Sequence, residues 1–347
     1  MFVCIIIGLF SLYLLLLCIQ FFDTHLILYL YYMLELTPDE LNTLNGRFAF
    51  DDIREYVLKN VYERRIFKND RLHMTYFLMR GIDAQLIETT AQEMIRRTLL
   101  FNSLAPPRPT PLILYWFPTP LKKKINYRKQ SIDVPEINSG YTLHSPVIPY
   151  ICIYRYEEAL KVLLHECAHF YHLEHKLSND IYDRYFINKY DIKIDCSLME
   201  TYSEIIGVIM NIYFISINRE KMYQLYLIEL AFALQQCAKI CDFFGIKSIR
   251  ELSKLKSNTN IMTYFFLKTA FMLSNIERID FDTFIDSLFH TEKPLVLDNP
   301  DEFCQRIDEN LQTTIDVSTK YREFHIDLPA EISGSMRMTI VDFIKHV

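Results

Sequence analysis

Residues 165–169 read His-Glu-Cys-Ala-His, an HExxH spacing with uncharged residues on both flanks and at both variable positions. This feature constrains the chain more than any other, because the spacing works only on an α-helix. There, positions i and i+4 share a face, so His165 and His169 can grip one metal ion. Glu166 follows the first ligand and aims its carboxylate at the ion's open coordination position, where it can take a proton from a bound water. The competing reading of the same five residues is a buried helix whose two histidines only hydrogen-bond.

The flanking sequence favours the metal reading. Pro146 to Tyr154 is a short apolar, β-branched and aromatic run bounded by prolines and a charged residue, and it reads as a strand. Tyr156 to His175 reads as the helix that follows, with Glu157 and Glu158 in its first turn, where carboxylates favour the helix dipole. A strand feeding an HExxH helix resembles the order in zincin peptidases, where that strand lines the substrate cleft.

Two histidines and a water leave a zinc site one protein ligand short. One supplier is Glu200-Thr201-Tyr202-Ser203-Glu204-Ile205-Ile206-Gly207, inside an apolar run from Ser197 to Ile217 that reads as a second helix. Glu200 and Glu204 are again i and i+4, so one can bind the metal while the other accepts the N–H of a ligand histidine. The segment resembles the ExxSD-xxG helix of thermolysin-like gluzincins and the ExxS element of thimet-oligopeptidase-like enzymes. That resemblance implies Glu200 as third ligand and Glu204 as the carboxylate behind a ligand histidine. The departures are Glu for Asp at 204, a longer spacer than thermolysin's, and no Asn before Glu200.

The other supplier is His175. Read onward, His165-Glu166-x-x-His169-x-x-His172-x-x-His175 resembles the metzincin pattern HExxHxxGxxH. Metzincins break the helix at the glycine, whose backbone freedom lets the third histidine swing back. This chain has His172 there and no helix breaker nearby. On a continuing helix His175 points well away from His169, which favours the Glu200 geometry and leaves His172 and His175 as second-layer or surface histidines.

A wider resemblance follows from four segments: Asn138-Ser139-Gly140-Tyr141-Thr142, Ile153 to Glu158, Lys161 to Glu166, and Glu200 to Glu204. Together they look like a family of zinc metallopeptidases encoded by large DNA viruses, and Asn260 to Ala270 resembles a downstream helix of that family. The likeness covers about residues 110 to 275 and is specific only around the metal site. It implies a gluzincin-like fold and peptide hydrolysis, and it says little about substrate.

The remaining sequence sets outer limits. With 347 residues, half of them hydrophobic, and only seven glycines, the chain can bury a sizeable, helix-rich core. A net charge of −6 gives no case for nucleic-acid binding. The basic cluster of Lys122, Lys123, Lys124, Arg128 and Lys129 reads as a solvated loop. Eight cysteines form no disulfide framework, and free buried thiols are the ordinary reading. Residues 2 to 22 carry no charge and no proline and, as a helix, span about 30 Å, which suits an uncleaved single-pass membrane anchor. No Lys or Arg precedes Arg47, so orientation is undetermined, and a virion or a host membrane are both open. Apolar character resumes at Leu26 to Leu34. Thr37 opens a short helix, Asp51 to Phe67 and Asp83 to Leu100 read as amphipathic helices, and Leu112 to Trp116 as a strand. Helices dominate from Glu220 to Leu288.

The expectation is an α+β, helix-rich zincin-like fold with a small sheet and an HExxH helix. It divides into an anchor (1–35), a helical N-terminal region (36–110) and a metallopeptidase domain (111–347), the last with its sheet and HExxH helix in 111–176 and a helical lobe in 195–347. One Zn2+ per chain is held by His165, His169 and Glu200, with Glu204 behind them and Glu166 as general base for cleavage of a peptide or protein substrate. Tyr264, Tyr202 and His290 are candidates for the oxyanion donor, and Asn138 for contact with the substrate backbone. Core packing is the ordinary role of the first three. The alternatives are a membrane-anchored, non-catalytic zincin-fold binding or virion structural protein, and metzincin-type ligation by His175.

Overall fold

A computed structural model describes residues 35–45, 49–145, 148–177, 181, 185–186, 189, 197–289, 299–321 and 334–344. The expected anchor at 2 to 22, the apolar stretch at 26 to 34 and His290 lie outside the described residues. Among the described residues the fold is α+β, helix-rich, with one mixed five-stranded sheet.

Helix α1 (Pro38–Leu44) starts at Thr37 with a reciprocal capping box to Glu40, which satisfies two backbone donors at its N-terminus. Helix α2 (Asp51–Asn60) is shorter than expected. The chain leaves it at Val61, whose φ of −66° and ψ of 130° are extended, and continues as β1 (Val61–Lys68). Strand β1 pairs antiparallel with β2 (Leu72–Met79) through a turn in which Asn69 Oδ1 accepts from the backbone N–H of Arg71 and Leu72. The expected helix to Phe67 is therefore half strand: Val61, Tyr62, Ile66 and Phe67 suit a pleated surface, and pairing with β2 overrides a helical period.

Asp83 caps α3 (Ala84–Leu104), accepting from Leu86 N–H. Its Ile87, Ala91, Met94, Thr98 and Phe101 alternate steps of four and three, and this stripe is buried. The helix leads to β3 (Leu112–Thr119), parallel to β2. A single turn at Val134–Ile137 precedes β4 (Gly140–Leu143), which pairs antiparallel with β5 (Tyr150–Arg155). Among the described residues the order β1-β2-β3-β5-β4 leaves β4 with an unpaired edge.

From β5 the chain enters α4 (Ala159–Phe170), in which every residue from Lys161 to Phe170 is buried. Glu157 and Glu158 are not in its first turn. Glu158 is the N-cap with φ 60°, and its buried carboxylate takes Lys123 Nζ at 2.7 Å and the backbone N–H groups of Met338 and Thr339, both at 2.6 Å. Lys123 is thus fully buried, against the expected solvated loop: the Glu158 carboxylate offsets the cost of taking its charge out of water. At the other end α4 stops at Phe170 and does not reach His175, with His172 at φ 53°.

Helix α5 (Leu198–Ile215) packs across α4. Among the described residues it is the helix long and apolar enough to cross a membrane, and 72% of that span is buried, as in a core helix. Its Gly207 allows the close approach, since a Cβ there would lie 3.1 Å from His165 Cβ and 3.2 Å from its backbone nitrogen. Helix α6 (Arg219–Phe244) ends at Gly245, φ 67°. A π-helical stretch, Met262–Leu267, runs into α7 (Lys268–Ser274). Helices α8 (Arg278–Phe289) and α9 (Pro300–Tyr321) complete the lobe.

Candidate metal centre

One turn apart on α4, His165 and His169 bring their Nε2 atoms to 3.2 Å. From α5, Oε2 of Glu200 lies 3.3 Å from each. Three ligand atoms from two crossing helices therefore form a nearly equilateral triangle, and this His-His-Glu group could hold a metal ion. The Glu200 side chain is 24% exposed and faces a cleft of about 550 Å³, whereas both histidines sit deeper.

A carboxylate backs each imidazole. Nδ1 of His169 donates to Glu174 Oε1 at 3.0 Å, with Ser203 Oγ at 3.3 Å. Nδ1 of His165 lies 3.1 Å from Glu204 Oε2, though among the described residues it has no well-aligned acceptor. Placing the protons on Nδ1 leaves both Nε2 lone pairs directed at the shared point. Glu204 in turn is held by the ammonium groups of Lys161 and Lys268, the latter at 3.2 Å. Burial opposes its charge, but the two lysines and His165 keep its carboxyl well below the usual carboxylate range. Burial also works against charge on His169, yet Glu200 and Glu174 hold its pKa well above the ordinary histidine value. For Glu200 burial raises the pKa, and the two histidines outweigh it, holding the group ionised. A site this rich in anionic oxygen favours a cation at its centre.

Glu166 points into the same cleft. Burial pushes its carboxyl above the ordinary value. Oε2 accepts from the Thr142 hydroxyl at 2.8 Å. Tyr264, on the π-helical stretch, donates to Glu200 Oε2 at 3.0 Å and borders the cleft beside the ligands. Extra backbone in a π-turn is a frequent device for aiming a side chain into a site.

The expected residues divide clearly. His165, Glu166, His169, Glu200, Glu204 and Tyr264 converge, and Asn138 lines the cleft while accepting from Thr259 Oγ at 2.7 Å. Tyr202 does not belong: its ring is buried against Phe303, centroids 5.7 Å apart, outside the cleft lining. Its place on α5 points it into the helical lobe. The strand along the cleft is β4, through Gly140, Tyr141 and Thr142, and not the longer run ending at Tyr154, which lies one strand further in.

The backbone does break at His172, where no break was expected. The turn sends His175 to solvent, its Nδ1 2.9 Å from the His172 carbonyl, and returns Glu174 to His169. His175 therefore takes no part in the cluster. Glu174 and Thr142 are the site residues that sequence reasoning missed. Only an early helix end could have pointed to Glu174, and only the β4–α4 approach to Thr142. In comparisons with protein-family models, with curated proteins and with solved structures, nothing matches this chain.

Proposed function

We propose that this chain is a zinc-dependent peptidase of gluzincin type, built on a zincin-like fold. The observation that carries the reading is the ligand triangle. An ion held tetrahedrally by bonds of about 2.0–2.1 Å separates its ligands by roughly 3.3–3.4 Å. The three separations in this site are 3.2, 3.3 and 3.3 Å. Two neutral imidazoles, one carboxylate and an open side toward a cleft are the donor set of a catalytic zinc site. When bound, Zn2+ would lower the pKa of a water and polarise the substrate carbonyl.

The chain's own groups supply the rest. Glu166, buried and hydrogen-bonded at one oxygen, would accept the proton of the attacking water and hand it to the leaving amine. Tyr264 would turn its hydroxyl from Glu200 to the oxyanion that develops on the scissile carbonyl. The open edge of β4 would take an extended peptide as a sixth strand through main-chain hydrogen bonds, and Asn138 at its foot would contact the peptide backbone. Glu174 and Glu204 would hold the ring orientations throughout. Residues 2 to 22 would anchor the enzyme in a virion or host membrane, and resistance of the full chain to carbonate extraction tests that part.

The main test is metal analysis of the purified full chain together with cleavage of a broad peptide library by wild type and Glu166→Gln. One zinc per chain, with cleavage by wild type alone, is the expected result. A zinc-loaded wild type as inert as Glu166→Gln would instead support a non-catalytic scaffold.

A further inference from the structure

We propose that Thr142 is the positioning residue of Glu166, tying the general base to the strand on which the substrate lies. The inference rests on the peptidase reading above. Oγ of Thr142 stands 2.8 Å from Glu166 Oε2 and 3.0 Å from the Glu166 backbone carbonyl. A hydroxyl has one proton to donate, and an ionised carboxylate is the stronger acceptor of the two. Among the described residues no other group donates to that carboxylate. Without this bond, no hydrogen bond among the described residues fixes the carboxylate's orientation.

The position of Thr142 gives the bond a second consequence. Its partner in the sheet is Ile151 of β5, and among the described residues nothing pairs with the other side of β4. A peptide that adds to this edge would press on the strand that carries the Thr142 hydroxyl. Seating the substrate and orienting the base are then one mechanical event. The two residues before Thr142 hold the strand in place. Gly140 is so closely packed that a Cβ would meet the Cys152 carbonyl oxygen at 2.9 Å and Val162 Cγ1 at 3.0 Å, and the Tyr141 hydroxyl donates to the Thr43 carbonyl. Thr142 thus sits on a strand with little freedom to shift sideways. A β-branched residue suits that strand, and valine would serve as well for packing. The hydroxyl is the part that packing does not explain.

The test compares Thr142→Val and Thr142→Ser in the full chain. The valine variant keeps the shape and loses the hydroxyl, whereas serine keeps the hydroxyl. With a long peptide substrate, Thr142→Val should lose about 10- to 100-fold in kcat with KM within about threefold, as expected for a misplaced catalytic group. Thr142→Ser should recover to within a few-fold of wild type, and zinc affinity should be the same in all three. A purely structural role predicts other outcomes: loss of zinc in Thr142→Val, a change in KM alone, or equal impairment in the serine variant. Any of these overturns the proposal, as does full kcat in Thr142→Val. A second arm does not depend on turnover. In a crystal structure of Thr142→Val the Glu166 carboxylate should leave its position or occupy several, with the β4 and α4 backbones unmoved. If wild type cleaves nothing, the peptidase reading fails, and this arm still decides Thr142: an unmoved Glu166 refutes its positioning role.

Discussion

Glu174 accepts the Nδ1 proton of His169 at 3.0 Å although only five residues separate them, because the chain leaves the helix at His172 with φ 53°. On a continuous helix residues five apart are rotated well off a common face, so the left-handed residue is what makes the contact. Among the described residues Glu174 Oε2 is buried without a hydrogen-bond partner, so the carboxylate is tied through its other oxygen to the histidine.

Removing that tie should matter to the metal. Glu174→Ala is expected to weaken zinc binding by about 10- to 100-fold, the usual cost of losing a carboxylate behind a ligand histidine. Competition with a chromophoric chelator measures it. An unchanged affinity would show that Ser203 Oγ, at 3.3 Å from the same nitrogen, suffices to orient the ring.

The ligand set predicts an ordered series. Glu200→Ala, like His165→Ala and His169→Ala, should abolish stoichiometric zinc, while Glu204→Ala weakens it and His175→Ala leaves it nearly unchanged. Zinc content after dialysis, read for each variant, checks the order. Loss in His175→Ala with retention in Glu200→Ala would sink the assignment.

Gly207 should tolerate no side chain without cost. In Gly207→Ala the new methyl would meet His165 Cβ at 3.1 Å and backbone at 3.2 and 3.3 Å, so α5 must back away from α4. Overpacking of this kind costs about 1–3 kcal/mol, and the shift would carry Glu200 away from the histidines. Urea unfolding of the metal-free protein and zinc titration should both report the loss. A variant as stable as wild type, with full zinc affinity, would refute the tight crossing.

Stability should fall as pH rises toward neutrality through Glu229. Burial raises its carboxyl to about 7, against the partial relief from Lys268 and from hydrogen bonds given by Ile340 N–H and Thr339. A carboxyl that holds its proton more tightly when folded stabilises the fold below its unfolded pKa, 4.5. That contribution is lost as pH rises through the folded value. Glu229→Gln cannot ionise, so relative to it wild type should lose about 3 kcal/mol between pH 4.5 and 8. Denaturant melts of both proteins at the two ends of the range isolate this group, and a constant difference would rule it out.

Local sequence was sufficient where one short segment carries the geometry. His165 and His169 share a face because a helix repeats near every fourth residue, and the apolar setting of Glu200 and Glu204 spoke against a solvated helix face. The strand Leu112 to Trp116, the capped start at Thr37 and the helix-rich character were legible for the same reason. Tertiary structure alone decided the rest. Whether Val61 to Phe67 is helix or strand depends on β2 lying beside it, and whether Lys123 is solvated depends on Glu158, 35 residues on. The early end of α4, which retires His175 and recruits Glu174, follows from no breaker residue, and the strand that meets Glu166 is set by sheet order. Backbone periodicity is a property of neighbours in sequence. Which strand lies at an edge, which charge finds a buried partner and where a helix stops are settled by groups far apart in the chain, whose contacts exist only once it has folded.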